Sequence, residues 1–512
     1  MAITISGGGT NPLIVVPGAG DVLSLAAQIG NLLATIQGAL NATDAINGVL
    51  PSGGPTTTGG TTELVLSGST PFNGAIPAGY DYVINNGSAA ASLTGSNVVI
   101  VSNDVGSAMN VGGTSTIAAT GGNNTVNASG NYTLSYGSGN DLTFATGSGT
   151  IASGAGQNTV NASGSNLVMS QGTNDLVIFT SGDNTVNASG NNAGILGAGG
   201  IVTALITGNQ ATISAGTSTV KATTSGSNAV VFGGTGALNL IDTGDHTTVA
   251  TFGSNATINE AGADAVIFGG SGTSNITVSG TNDTIVGGAG NSTVDASNST
   301  LVFGGTGALT FVGGAGIATV VGIANGGTEN VTVGASGGLV AAANGNLANV
   351  QGGAGTSTLF GGSGSVINYV SSVGGGIFVA GDGGATLNAA GSSTNNTLSG
   401  GSAGGLASMA GGSGDDTFLA GNGADTLTGG AGHDIFAFFA AATAGKTDVI
   451  TDFNANDSIY LIGYGQGQTA NTLQNAAVTD ASGVTLTLSD QTKITFSNLT
   501  NASALSGHIL VV

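Results

Sequence analysis

The 512-residue chain has no cysteine and no tryptophan, and its only basic side chains are Lys221, Lys446 and Lys493. Without cysteine, disulfides and thiolate metal sites are excluded. Phosphate polymers are bound by clusters of Lys and Arg, so nucleic acid is excluded as a partner. Anionic membrane surfaces are disfavoured for the same reason. No run of eighteen apolar residues occurs, so no transmembrane segment is expected. The stretch Met1–Ser6 carries no cation and runs into Gly7-Gly8-Gly9, so no Sec-type signal is read there. Charged residues are 5% of the chain and hydrophobic ones 40%, with 25 Asp plus Glu and a net charge of −22. Such a chain is acidic, glycine-rich and apolar enough to fold.

Asp21 to about Leu50 has apolar residues at helical spacing (Val22, Leu25, Ile29, Leu32, Leu33, Ile36, Leu40), with Asp21 as N-cap. One short N-terminal helix is therefore expected within a segment 1–50, followed by a Pro/Gly/Thr-rich linker at 51–62. From Glu63 onward, short β-prone runs alternate with Gly, Ser and Asn turns. The phrase NTVNASG occurs at Asn124–Gly130, Asn158–Gly164 and Asn184–Gly190. Nine-residue units follow one another at Gly304–Val312 and Gly313–Val321, and again at Gly352–Phe360 and Gly361–Tyr369. Glycine permits the tight turn, and one or two apolar residues per strand point into a narrow stacked core. The expected fold is all-β, a parallel β-helix or β-roll solenoid. Before Gly233 the spacing is irregular, and a β-sandwich remains the alternative there. The body is assigned to 63–400.

Around Gly411 the repeat sharpens. Three successive units, Gly411–Leu419 (GGSGDDTFL), Ala420–Thr428 (AGNGADTLT) and Gly429–Ala437 (GGAGHDIFA), match G-G-x-G-x-D-x-U-x with one departure, Ala420. In this pattern, backbone carbonyls and the aspartate supply the hard oxygen ligands that Ca²⁺ prefers. The candidate metal residues are Gly411, Gly412, Gly414 and Asp416, then Gly421, Gly423 and Asp425, then Gly429, Gly430, Gly432 and Asp434.

These units resemble the RTX calcium-binding proteins exported by type I secretion. The resemblance continues through Asp434–Gly463, which is similar to the segment after the β-roll in serralysin-type C-terminal domains. There, a V-I-x-D-F strand precedes a D-x-I-x-L strand. Thr485–Val512 is similar to the family's uncleaved secretion signal. The resemblance implies a calcium β-roll at 401–437 and a secretion domain at 438–512. It also implies that calcium lies between units eighteen residues apart, so that Asp416 and Asp434 share a site. On that spacing Asp425 faces Ala407 and Thr443 and makes half a site or none, while Asp448 and Asp452 add ligands by analogy. In most upstream units the aspartate is replaced, as at Ser292, Leu309, Ala318, Ser357 and Val366, so those coils are expected to be metal-free. Asp141, Asp175, Asp264 and Asp283 read as turn residues, with isolated sites as the alternative.

No catalytic set stands out. His246, His433 and His508 are far apart, no HExxH is present, and the GxSxG matches at Gly334–Gly338 and Gly400–Gly404 lack the strand–elbow–helix context. The reading is a secreted, non-enzymatic, self-assembling protein of the bacterial surface, a lattice or filament that depends on Ca²⁺. Its expected partners are copies of itself, the type I secretion machinery and cell-surface polysaccharide. Extended Ala2–Ser6 is a candidate for strand addition to a neighbour. The alternatives are a calcium-dependent adhesin or glycan binder, an ice binder (GTND at Gly172–Asp175 and Gly280–Asp283), and an enzyme acting on polysaccharide.

Overall fold

The computed structural model describes residues 3–6, 12–15 and 40–512, except 47, 57–60, 88, 324–326, 403, 441 and 466–467; for 3–6, 12–15, 40–46 and 61 it describes the backbone alone. Residues 1–256 and 257–512 form two compact units. Both are parallel β-solenoid, with about 21 turns in all and 2% helix. Among the described residues no helix is long and apolar enough to cross a membrane.

In the first unit each coil carries two short strands, and each strand lies parallel to the one a full coil later. Leu142 sits beside Thr125 of the coil before and Thr159 of the coil after. The rung spacing here is 17, as between Asn124 and Asp141. From Leu176 the coil lengthens to 18, as in Leu176↔Gly194↔Thr212↔Val230↔Thr248. This excludes the β-sandwich alternative for the part before Gly233. The phrase NTVNASG explains the irregular spacing. Its first two copies lie two coils apart on one face, whereas Asn184–Ala188 pairs with Leu167–Ser170 on the other face.

Alternate residues of each strand point inward. Val126, Thr143, Val160, Val177, Ile195, Ile213 and Val231 stack one above another, all essentially inaccessible. Each buried aliphatic side chain contributes about 1.5–3 kcal/mol, and one or two per strand suffice because every coil covers the last. The predicted N-terminal helix falls mostly on residues outside those described. Its end, Leu40–Ile46, is a strand, parallel to Thr61–Ser67. Ile3–Ser6 pairs antiparallel with Pro12–Val15 of its own chain.

The second unit keeps the two-strand coil, but the coil length varies. Successive rungs are 17 apart at Asn291 and Ala308, 20 apart at Asn396 and Asp416, and 23 apart at Asp434 and Asp457. Its core is richer in aromatics. Phe418 and Phe436 stack with centroids 5.0 Å apart, and Phe453 meets Phe496 edge-on at 5.1 Å. The chain then turns back. Lys493–Phe496 lies parallel to Thr447–Ile450 and antiparallel to Gly483–Thr487, while Ile509–Val511 lies parallel to Ser458–Ile462. This antiparallel addition, with the short helix Ala470–Asn475, covers sheet edges that parallel coils would leave open. The segment read as a secretion signal is therefore folded as part of the cap.

Candidate metal centre

In the units from Gly411 to Ala437, the first six residues form a turn and the last three a strand. Thr417–Leu419 and Ile435–Phe439 fall on one face, and Thr426–Thr428 on the other. Successive aspartates consequently end at opposite edges of the coil. Asp416, Asp434 and Asp457 stack along one edge, and Asp425 and Asp448 along the other.

Each stack is held by backbone donors. Along the first edge, the Asn396 N–H donates to Asp416 Oδ1 (2.7 Å), the Asp416 N–H to Asp434 Oδ1 (2.9 Å), and the Asp434 N–H to Asp457 Oδ1 (3.1 Å). Along the second edge, the Ala407 N–H donates to Asp425 Oδ1 (3.0 Å) and the Asp425 N–H to Asp448 Oδ1 (2.8 Å). All five carboxylates are buried.

Their second oxygens differ. Asp416 Oδ2 accepts from the Gly412 N–H and Asp425 Oδ2 from the Gly421 N–H. The equivalent donors near Asp434 are taken by Asp452, whose two oxygens accept from the N–H groups of Gly429 and Gly430, each at 2.8 Å. Asp434 Oδ2 is therefore buried without a hydrogen-bond partner, and Asp448 Oδ2 on the other edge is buried without one as well. Burial pushes both carboxyls up to about 7, and neighbouring carboxylates add to the rise. Asp416, Asp425 and Asp457 are also raised, again chiefly by burial.

Glycine makes this approach possible. A Cβ on Gly429 would collide with Asp434 Oδ2, and Gly430 and Gly432 adopt φ of +96° and +127°, where other residues are strained. Gly411, Gly414, Gly421 and Gly423 likewise pass so close to the preceding coil or to the aspartates that no side chain fits.

Calcium fits this chemistry. Stacked carboxyls with unpartnered oxygens at Asp434 and Asp448, in glycine turns, are a hard-oxygen donor set of the kind Ca²⁺ prefers. Among the described residues no three His, Asp or Glu side chains converge on one point.

The structure places Asp416 and Asp434 on adjacent rungs and corrects the expected partner of Asp425. That partner is Asp448 rather than Thr443. The step from Asp425 to Asp448 is 23, against 18 from Asp416 to Asp434, which gives the pairing Thr426↔Val449. The additional residues form the turn around Ala442–Lys446. Asp457 completes the first edge and was not singled out, although the D-x-I-x-L pattern contains it. His433 is exposed, with its N–H on Asp415, while His508 Nδ1 lies 2.8 Å from the Asp457 carbonyl oxygen.

The turn position of the calcium ladder can be followed upstream. In the first unit it holds Ser107, Asn124, Asp141, Asn158 and Asp175, again linked N–H to Oδ1 at each rung (3.1, 2.7, 3.1 and 2.8 Å). The Asn124 and Asn158 amides also donate to Asp141 and Asp175. In the second unit the position is filled by Asp283, whose Oδ1 accepts from the Ala265 N–H at 3.0 Å. Burial pushes Asp283 up to about 6.

Comparison with known families finds the RTX calcium-binding nonapeptide repeat in four copies, over residues 261–298 and 408–437. The second stretch is the one read from the sequence. The first adds the coils around Asp264 and Asp283, which the sequence reads as turn residues with isolated sites as the alternative. No curated protein matches the chain. The repeats bind calcium, and a solenoid that stacks them edge upon edge fits an RTX-type calcium-binding β-roll protein.

Proposed function

We propose that the protein is an extracellular, calcium-dependent structural protein that assembles with copies of itself at a bacterial cell surface and has no catalytic role. The repeats support a calcium-dependent extracellular protein, and RTX proteins are typically exported by type I secretion. The observation that carries the reading is the pair of aspartate stacks with unpartnered buried oxygens at Asp434 and Asp448. In calcium-poor cytosol these stacks repel and hold the C-terminal coils open. At millimolar calcium outside the cell, binding free energy becomes folding free energy. Assembly is then confined to the exterior. Electron microscopy of purified protein with millimolar calcium and with chelator tests this. Ordered sheets or fibres only with calcium are expected; monodisperse particles in both conditions contradict it.

A glycan-binding adhesin is the second reading. A shallow groove of about 400 Å³ on the first unit is lined by Thr94, Asn110, Asn127, Ser129, Phe144 and Thr146, among others. Side-chain amides beside a 42% exposed aromatic ring suit an uncharged sugar. A glycan array separates this reading from the first.

A further inference from the structure

On one face of the second unit, the outward side chains form two columns that run along the solenoid. In the first column Phe268, Val286, Phe303 and Val321 are direct neighbours, strand upon strand. It continues through Ala341, Phe360 and Val379. Beside it, apolar residues alternate with threonine: Leu301, Thr319, Leu339, Thr358, Ile377, Thr397. Phe268, Phe360 and Ile377 are about two-fifths exposed. The strands of this face between Val266 and Ser399 carry one charged residue, Asp283, and it is buried.

The opposite face is mixed: Val312, Leu347 and Val370 are exposed on it without forming a continuous column. There Asn330, Asn349, Asn368 and Asn388 form a ladder of amide hydrogen bonds at 3.0–3.2 Å. An apolar, charge-free stripe on a chain of net charge −22 is the surface on which another molecule of the same charge meets no opposing carboxylate.

The order of residues identifies the partner. The first column reads Phe, Val, Phe, Val, Ala, Phe, Val. Reversed about Val321 and laid on itself, it places Phe268 on Val379, Val286 on Phe360 and Phe303 on Ala341, large against small at each rung off the axis, with Val321 meeting its own copy on the axis. The second column, reversed about Thr319, sets Leu301 on Leu339 and Thr284 on Thr358. Both reversals share one axis, along the strand Ala318–Val321.

From this we infer that the face is a self-complementary interface. A second copy packs on it face to face through a two-fold axis along Ala318–Val321, with the solenoids antiparallel. The interface is isologous, as closed two-fold contacts are, and it interdigitates as aligned stacked sheets do. This inference rests on the self-assembly reading and specifies its contact.

The natural chain has no cysteine, so single cysteines report on the contact. In calcium-loaded full-length protein, Val321→Cys lies on the axis and is expected to crosslink to itself with a short bismaleimide. Phe268→Cys alone is expected not to, since the two copies of that position fall at opposite ends of the stripe. Mixing Val286→Cys with Phe360→Cys is expected to give the heterologous crosslink. In sedimentation, Val321→Glu sets two carboxylates face to face and should lower the mass of the smallest associated species two-fold. Asn349→Glu on the opposite face should leave it unchanged. If wild-type protein assembles while the Val321→Cys variant fails to crosslink and Val321→Glu still associates, this interface is wrong and the self-assembly reading stands. A wild type that stays monomeric at every concentration overturns both, including one that binds phosphatidylcholine vesicles through this stripe.

Discussion

Two stretches of the molecule, residues 107–175 and 396–457, place the same turn position on successive coils and link it by the same N–H to Oδ1 bond. In the first, asparagine alternates with aspartate, so carboxylates on neighbouring rungs never meet, and the Asn124 and Asn158 amides donate to them. Asp175 has both oxygens satisfied, by Asn158, Ser153, Ser170 and the Gly172 N–H, whereas Asp141 keeps one buried oxygen without a partner and is raised by burial; what the first stretch lacks is a carboxylate on the next rung. In the second, Asn396 plays that part only for Asp416; beyond it, carboxylate stacks on carboxylate. Two like charges about 5 Å apart repel by roughly 3 kcal/mol at an effective dielectric of about 20. An amide thus supplies internally in one stretch what a cation must supply in the other. Calcium dependence is written in the spacing of carboxylates rather than in the fold, which both stretches share.

Exchanging the patterns breaks the comparison most sharply. Asn158→Asp puts carboxylates on three consecutive rungs, between and including Asp141 and Asp175, and removes an amide donor. The new carboxylate faces one on either side, at roughly 3 kcal/mol each before protonation relieves them, so a loss of at least about 3 kcal/mol in chelator is expected, measurable by urea denaturation. An unchanged midpoint would mean that the asparagine is not what relieves the stack. The converse, Asp434→Asn, restores alternation between Asp416 and Asp457. It should stabilise the calcium-free C-terminal coils by about 2 kcal/mol while weakening calcium binding at least about ten-fold. Calorimetric melting and calcium titration read the two effects separately.

A smaller effect is expected from Gly429→Ala. Its Cβ displaces the Asp434 carboxylate, and calcium affinity should fall about ten-fold, roughly 1.4 kcal/mol, with the first unit's stability unchanged. Acidity distinguishes the apo and calcium forms. Burial raises Asp434 and Asp448 to about 7 in the fold, against about 4 in an unfolded chain. Protonation therefore favours the fold. In chelator the stability these groups permit is fully present below about pH 4 and is lost as pH rises through about 7. Melting in chelator should rise on going from pH 8 to pH 5, whereas calcium affinity should fall, because the metal requires the deprotonated groups. The smallest effect is Asp104→Asn in the first unit. Asp104 is buried, pushed up to about 6, and has one oxygen unpartnered, so at pH 8 the amide should raise Tm by a few degrees whether or not calcium is present.

The solenoid and its calcium turns were legible because glycine-rich nonads leave few other solutions for a chain with so little charge. Pairing was legible only where a coil holds two whole nonads. Asp425 was matched to Thr443 because the longer coil ahead of Asp448 leaves no trace in the nonad pattern itself. The Asn–Asp ladder of the first unit is not legible for the opposite reason: apart from Gly121-Gly122 the ladder turns of its shorter coils lack the doubled glycine, and NTVNASG recurs on both faces. Asp457 lay inside a recognised strand pattern, where its rung position depends on three-dimensional register. The apolar columns of the second unit are invisible in linear order, since neighbours on a column are separated by a full coil of varying length.

Hydrogen exchange by mass spectrometry, on the full chain in millimolar calcium and in chelator, tests the central claim most directly. Amides of residues 396–462 are expected to lose protection when calcium is removed, while those of 107–175 keep it. Equal protection of both stretches in chelator, or their loss together, would contradict it.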